Sequence, residues 1–164
     1  IQIKVMINVE VVQDNNLWGQ KIKKPEIFFK KIISFFPKSF KFKKKKISFT
    51  ILLSKNNFIK KLNYQFRKKN KPTNVLTFPN YKKKDLKKFS KKKKIYVGDI
   101  VISYEYIFKK KYNSFNNKEI LIKTFIHGFL HLLGFNHKKN KDFKIMTYKE
   151  IKIFNSVNSK IDEF

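Results

Sequence analysis

Cysteine and alanine are both absent from this chain of 164 residues, and arginine occurs only once. The lack of cysteine excludes disulfides and thiolate metal sites. No uncharged apolar run is long enough to span a membrane; the longest, residues 124–137, is 14 residues long and contains histidine. The first residues alternate like a strand and show no signal-peptide pattern. We therefore expect a cytoplasmic protein with no membrane partner.

Acidic residues are also scarce, with 11 Asp and Glu against 40 basic residues and a formal net charge of +29. Such a charge favours a nucleic-acid partner, because lysine neutralises phosphate and releases counterions. However, 39 of the 40 basic residues are lysine, and the other abundant residues also have AT-rich codons. Mutational bias explains much of the excess, so the charge alone leaves an RNA or DNA partner open. The same bias makes the rare residue types informative.

The hydrophobic pattern predicts one folded domain over residues 1–164. Hydrophobic residues make up 41% of the chain, which is enough for a core. Alternation predicts strands over residues 1–12, 47–53, 75–78 and 95–103. Helical spacing predicts about five helices, over residues 24–36, 55–67, 104–112, 118–133 and 141–155, with Ser54 capping the second. The lysine-rich stretch 81–94 is predicted to be a mobile loop. Helices and strands alternate without repeats, which fits an α/β or an α+β domain.

All three histidines lie within one window of the sequence, at His127, His131 and His137. His127 and His131 are four residues apart, so they project from the same face of the predicted helix. Gly134 allows the chain to leave the helix and to bring His137 back to the pair. Three imidazoles with a fourth position for water form the pattern of an open catalytic zinc site. Two buried core histidines are the alternative for the helical pair, and nickel, copper or iron remain open as the metal.

The histidine spacing is shared with the metzincin proteases, which carry their general base, a glutamate, directly after the first histidine. Gly128 occupies that position here, so peptide hydrolysis by that mechanism is disfavoured. The single arginine, Arg67, precedes a second motif, and its planar guanidinium can grip a phosphate at two points, which lysine cannot. Asp99 has two open roles, as an acceptor for a ligating histidine or as a turn cap.

These motifs resemble the YbeY endoribonucleases, a family of bacterial rRNA maturation factors. The family pattern H-G-x-L-H-L-x-G-Y-D-H is similar to residues 127–137, where Phe135 and Asn136 replace Tyr and Asp. The family's N-x-x-[YF]-R and K-P-T-[ND]-V-L-[ST]-F-P patterns are similar to residues 63–79, and its G-D-I is similar to residues 98–100. The order and separation of the motifs also agree.

The resemblance implies an α+β fold with a mixed four-stranded sheet. It also implies one zinc ion held by His127, His131 and His137, and a functional arginine at Arg67. The implied activity is cleavage of single-stranded RNA, in maturation of the 3′ end of small-subunit rRNA and in ribosome quality control. The implied partners are single-stranded rRNA and the small ribosomal subunit. A ribosome-binding assembly factor with a structural metal is the main alternative, and a metallopeptidase is the least favoured one.

Overall fold

The computed structural model describes residues 7–40, 46–89, 94–109 and 116–160, in which four strands form one sheet. The strands are β1 (Ile7–Gln13), β2 (Lys46–Ser54), β3 (Val75–Pro79) and β4 (Lys94–Ser103). Their order across the sheet is β1-β2-β4-β3. β2 runs parallel to both β1 and β4, whereas β3 is an edge strand antiparallel to β4. The mixed four-stranded sheet expected from the resemblance is thus confirmed.

The described ranges contain seven α-helices rather than about five. They are α1 (Leu17–Lys21), α2 (Pro25–Ser34), α3 (Asn56–Arg67), α4 (Lys83–Leu86), α5 (Tyr104–Phe108), α6 (Asn117–Leu132) and α7 (Asn140–Asn158). The two that the sequence pattern missed, α1 and α4, have only five and four residues. A helix of about one turn is too short to show a repeating apolar face, so periodicity does not detect it. No helix in the described ranges is long and apolar enough to cross a membrane.

Both faces of the sheet are covered by helices. Ile100 and Ile102 of β4 belong to the main core, which includes Phe125 and Phe129 of α6. Val101 lies between them in the strand and therefore points to the opposite face. There it joins a smaller cluster under α3, made with Ile59 and Leu76. α6 also packs against α7, so the histidine-bearing helix is held between the sheet and the last helix.

Gly98 marks an irregularity in the centre of the sheet. The pairing of β2 with β4 shifts at this point, where Phe49 pairs with Gly98. Gly98 has a φ of +134°, and a Cβ there would lie 2.1 Å from the carbonyl oxygen of Phe78. A side chain is therefore excluded by the close approach of the β3 backbone.

Two local expectations were wrong because tertiary contacts decide them. Ser54 does not cap α3: it is buried, and its hydroxyl is hydrogen-bonded to Asp14. Instead, Glu105 of α5 accepts a 2.8 Å hydrogen bond from the backbone N–H of Asn56 in the first turn of α3. The stretch expected to be a mobile loop contains α4, and Tyr81 and Phe89 pack against the main core. Residues 1–6, 90–93 and 110–115, which complete several predicted elements, lie outside the described ranges.

Candidate metal centre

The helix α6 places His127 and His131 one turn apart, with their ring centroids separated by 4.6 Å. α6 begins at Asn117, and the side chain of Asn116 caps it by accepting a 2.8 Å hydrogen bond from the Glu119 N–H. The remaining faces of the helix are buried against the sheet and α7, and both histidines are half-buried. A rigid, buried helix therefore holds the two imidazoles in a defined orientation.

The turn after α6 brings His137 to the same place. Gly134 has a φ of +83°, its N–H donates to the His131 carbonyl, and the Phe135 N–H donates to the Leu130 carbonyl. These two hydrogen bonds form a Schellman motif, which requires the left-handed conformation that glycine supplies. The His137 ring lies 5.6 Å from that of His127 and 5.1 Å from that of His131. One ring nitrogen from each of the three histidines lies within 4.8 Å of the others.

Hydrogen bonds to the outer nitrogens orient two of the three imidazoles. The Nδ1 of His127 lies 2.6 Å from Oε1 of Glu150, and the Nδ1 of His131 lies 2.9 Å from the carbonyl oxygen of Phe135. A carbonyl oxygen can only accept, so His131 must donate from Nδ1, and the Glu150 carboxylate accepts in the same way from His127. In the neutral rings both Nε2 atoms then carry lone pairs, although they face each other at 3.0 Å. Two facing lone pairs repel unless a cation lies between them, so the donor set fits a metal ion.

The surroundings of His131 keep its ring neutral. Burial is the largest of the influences that together lower the pKa of His131 to about 4. The neighbouring His127 is the second and also lowers the pKa, whereas the hydrogen bond with the Phe135 carbonyl raises it by less. Metal ligands must be deprotonated, so a low histidine pKa favours metal binding at neutral pH. His137, in contrast, is exposed, which leaves one side of the cluster open to solvent.

Glu150 is a candidate site residue that the sequence patterns did not predict. It lies on α7, 13 residues after His137, and α7 contains only one other acidic residue, Asp142. No fixed spacing links it to the histidines, because the packing of α7 on α6 creates the contact. The only feature of the sequence that could have indicated Glu150 is that it is an acidic residue in a lysine-rich segment. Asp99, which the sequence offered for this role, instead accepts a 2.6 Å hydrogen bond from the Tyr96 hydroxyl.

Arg67 is the last residue of α3, and its side chain is exposed. The positive charge of Arg67 lowers the pKa of His131. This effect is smaller than those of burial, the two other histidines and the Phe135 carbonyl. The Arg67 guanidinium at the end of α3 is therefore close enough to influence the histidine cluster electrostatically. Within the described part of the chain Arg67 has no acidic partner, so its guanidinium is available for an anion.

Gly128 lies on the buried face of α6, which packs against the sheet. A Cβ at this position would lie 3.0 Å from Cγ2 of Ile100 and 3.2 Å from Cγ2 of Val75, on two strands of the sheet. A glutamate here would have to enter the core instead of approaching the histidines. The structure therefore explains why this site lacks the general base of the metzincin pattern.

Comparisons with known proteins show which family this chain resembles. The family model described as Endoribonuclease YbeY matches residues 10–158. An Endoribonuclease YbeY of Pelagibacter ubique is 52% identical over 157 residues, covering 95% of this chain and 99% of its own. One from Buchnera aphidicola is 40% identical over 159 residues, covering 95% and 93%. A solution structure from Thermotoga maritima aligns over 96% of this chain and 92% of its own, with 22% identity and a TM-score of 0.49.

A mixed four-stranded sheet with a three-histidine cluster at the end of a buried helix defines an α+β protein with a candidate metal centre. The family match covers nearly the whole chain, and two relatives exceed 30% identity over almost their full length. The chain belongs to the YbeY family of endoribonucleases, and the resemblance seen in the sequence motifs is confirmed. The family is one of enzymes, and its description implies an RNA substrate.

Proposed function

We propose that this protein is a metal-dependent endoribonuclease that cleaves single-stranded RNA, and that residues 1–164 act as one catalytic domain. The observation that carries the proposal is the cluster of three histidines, in which the Nε2 atoms of His127 and His131 lie 3.0 Å apart beside the exposed His137. The three nitrogens leave one side open, as a catalytic metal requires for a substrate or a water. The family's name supports RNA as the substrate.

Zinc is the proposed metal, as one ion held by His127, His131 and His137. An all-imidazole donor set suits zinc, although it also suits other late transition metals. When bound, zinc supplies a Lewis acid for a phosphoryl oxygen and lowers the pKa of a coordinated water. Glu150 and the Phe135 carbonyl hold two of the rings in the tautomer that presents Nε2.

Arg67 is the proposed catalytic residue among the charged side chains. Its guanidinium is exposed, has no acidic partner in the described ranges, and lies where its charge reaches His131. Such a group can hold the scissile or an adjacent phosphate in two places and can stabilise the negative charge that develops on it. Lysine in its place would keep the charge but lose the bidentate geometry.

The lysines around the centre serve the RNA backbone in this proposal. The ammonium groups of Lys83 and Lys149 lie 4.1 and 5.0 Å from the ring centroid of Phe135, in the turn that returns His137. They attract phosphates without reading sequence. The proposed task is maturation of the 3′ end of small-subunit rRNA in the cytoplasm, together with ribosome quality control, with the small ribosomal subunit as partner.

The test is a cleavage assay on zinc-loaded protein with matched single-stranded and double-stranded RNA. We expect cleavage of the single strand, loss of cleavage with retained zinc for Arg67→Ala, and loss of both for His131→Ala. Lys61→Ala, which removes an exposed charge from the same helix as Arg67, is the matched control and should cleave normally. Equal cleavage by Arg67→Ala and wild type would overturn the assigned role of the arginine.

The same assay distinguishes the nuclease from the main alternative, an assembly factor with a structural metal. Protein that holds zinc, binds pre-ribosomes and never cuts RNA would support it. The exposure of His137 argues against a closed structural site, and the described residues place no fourth His, Asp or Glu in the cluster. A metallopeptidase is disfavoured because Gly128 faces the sheet.

A further inference from the structure

A cleft of about 390 Å³ opens beside the histidine cluster, between α6 and α7. It shares two residues with the candidate metal centre, His127 and Glu150. The other lining residues come from α6, α7 and the turn before β3: Asn74, Lys123, Thr124, Ile126, Ile151, Phe154 and Asn155. Small-molecule sites have volumes of this order. The cleft is thus large enough for a planar ring system bound next to the metal ligands.

Part of the cleft lining is apolar and aromatic. Phe154 packs partly against the main core and presents the rest of its ring to the cleft. Ile151 lies one turn away on α7 and is 54% exposed. The ammonium of Lys123 lies 4.5 Å from the centroid of the Phe154 ring. An aromatic wall with an adjacent cation is the arrangement on which proteins stack the bases of single strands.

The lining of the cleft also carries two amides. Asn74 lies just before β3, and Asn155 lies on the exposed side of α7. Each carboxamide has both donors and an acceptor, the groups that pair with the edge of an unstacked base. The single carboxylate in the lining, Glu150, is already bonded to His127. The two amides and Lys123 therefore suit a polar, planar group attached to an anion, and Glu150 is the only acidic residue among the described lining residues.

We propose that this cleft, which we call the base cleft, holds the base of a nucleotide next to the phosphodiester that is cleaved. Phe154 forms its stacking wall, and Asn74 and Asn155 set the base preference. The proposal rests on the proposed ribonuclease function. Because the base cleft and the metal centre share His127, a nucleotide seated here places its own phosphate at the histidine cluster.

The test measures binding separately from cleavage. Zinc-loaded protein is titrated with the four nucleoside monophosphates and with ribose 5-phosphate, which lacks a base. We expect at least one nucleotide to bind about fivefold or more tightly than ribose 5-phosphate, as base stacking contributes in single-strand binders. Phe154→Leu should remove most of that difference while zinc content stays unchanged. Phe143→Leu, which alters another phenylalanine of α7 that is 56% exposed and outside the base cleft, should preserve it.

The outcomes distinguish the base cleft from the nuclease itself. If wild type binds ribose 5-phosphate as tightly as all four nucleotides, the proposal that the base cleft binds a base is refuted, even if RNA is cleaved. A loss in Phe154→Leu that is as large for ribose 5-phosphate as for the nucleotides would also overturn it, because that loss would reflect general damage. Selective nucleotide binding without any RNA cleavage would leave the base cleft standing and refute the proposed function. For an active enzyme, Asn155→Ala should change the base preference at one nucleotide beside the cut.

Discussion

Replacement of Glu150 tests whether α7 tunes the metal centre from outside the ligand set. Glu150 accepts a hydrogen bond from Nδ1 of His127 at 2.6 Å, and its side chain is 30% exposed. The bond fixes the tautomer that presents Nε2 and makes that nitrogen a better donor. We therefore expect Glu150→Ala to weaken metal binding without removing any proposed ligand.

The expected size of the effect follows from the geometry. A charge-assisted hydrogen bond contributes about 1.5–3 kcal/mol, and loss of the carboxylate behind a ligating histidine lowers metal affinity by roughly 10- to 100-fold. Both ranges centre near 2 kcal/mol, so we expect Glu150→Ala to lower zinc affinity about 30-fold at room temperature. Glu150→Gln keeps an acceptor but loses the charge. A neutral hydrogen bond is about half as strong, so we expect a loss of about fivefold for this variant.

The assay is competition for zinc against a chromophoric chelator, with folding followed by circular dichroism. Glu26→Ala is the matched control, because it removes a carboxylate that also has one hydrogen-bond partner, Lys30, but lies on α2. The reasoning would be refuted if Glu150→Ala bound zinc as tightly as wild type. An equal loss in Glu26→Ala would refute it as well, because the effect would then come from net charge.

Three further predictions follow from the same structure. Gly134→Ala should destabilise the protein by about 1–3 kcal/mol and weaken zinc binding, because φ is +83° and a Cβ would lie 2.7 Å from Cβ of Lys83. Denaturant unfolding measures the loss of stability, and chelator competition measures the zinc affinity. The metal-free protein should lose stability as pH falls from 6.5 towards 4, because the pKa of His131 is about 4 in the folded protein and the unfolded chain takes up this proton at higher pH. Denaturant unfolding at several pH values measures this loss. Lys83→Ala combined with Lys149→Ala should reduce the salt dependence of RNA binding, with a slope smaller by about 1.4 in log Kd against log salt.

Each of these predictions has its own control. Gly19→Ala should leave zinc binding intact, because the nearest atom to a Cβ there is 3.8 Å away. His131→Asn should flatten the acid-induced loss of stability, and an unchanged pH profile would contradict the assigned source. An unchanged salt slope in the double lysine variant would show that these two ammonium groups do not contact RNA phosphates.

The histidine cluster was easy to predict because its geometry is local. A four-residue helical spacing and one glycine turn bring His127, His131 and His137 together, and all of this information lies within 11 residues. The long strands and helices were predictable for a related reason, since their apolar periodicity is a property of short windows. The short α1 and α4 have too few residues for such a signal.

Contacts between distant segments were not predictable in the same way. Ser54 is a residue type that caps helices, yet α3 begins at Asn56 after Lys55. Glu105 supplies the hydrogen bond at the start of α3, because the sheet brings α5 beside it. The stretch with α4 appeared to be a solvated loop because of its lysines, yet three apolar side chains, Tyr81, Leu86 and Phe89, attach it to the core. In both cases contacts between distant segments override the local preference.

The sequence by itself determined the family, the mixed α+β class and the residues that can ligate a metal, because motifs and periodicity are short-range properties of the chain. Only the tertiary structure decided which carboxylate supports His127, which side of α6 Gly128 occupies, and that a cleft opens beside the cluster. These features depend on how α7 and the sheet pack around α6. That packing is set by the burial of apolar surface between segments far apart in sequence, which no local pattern records.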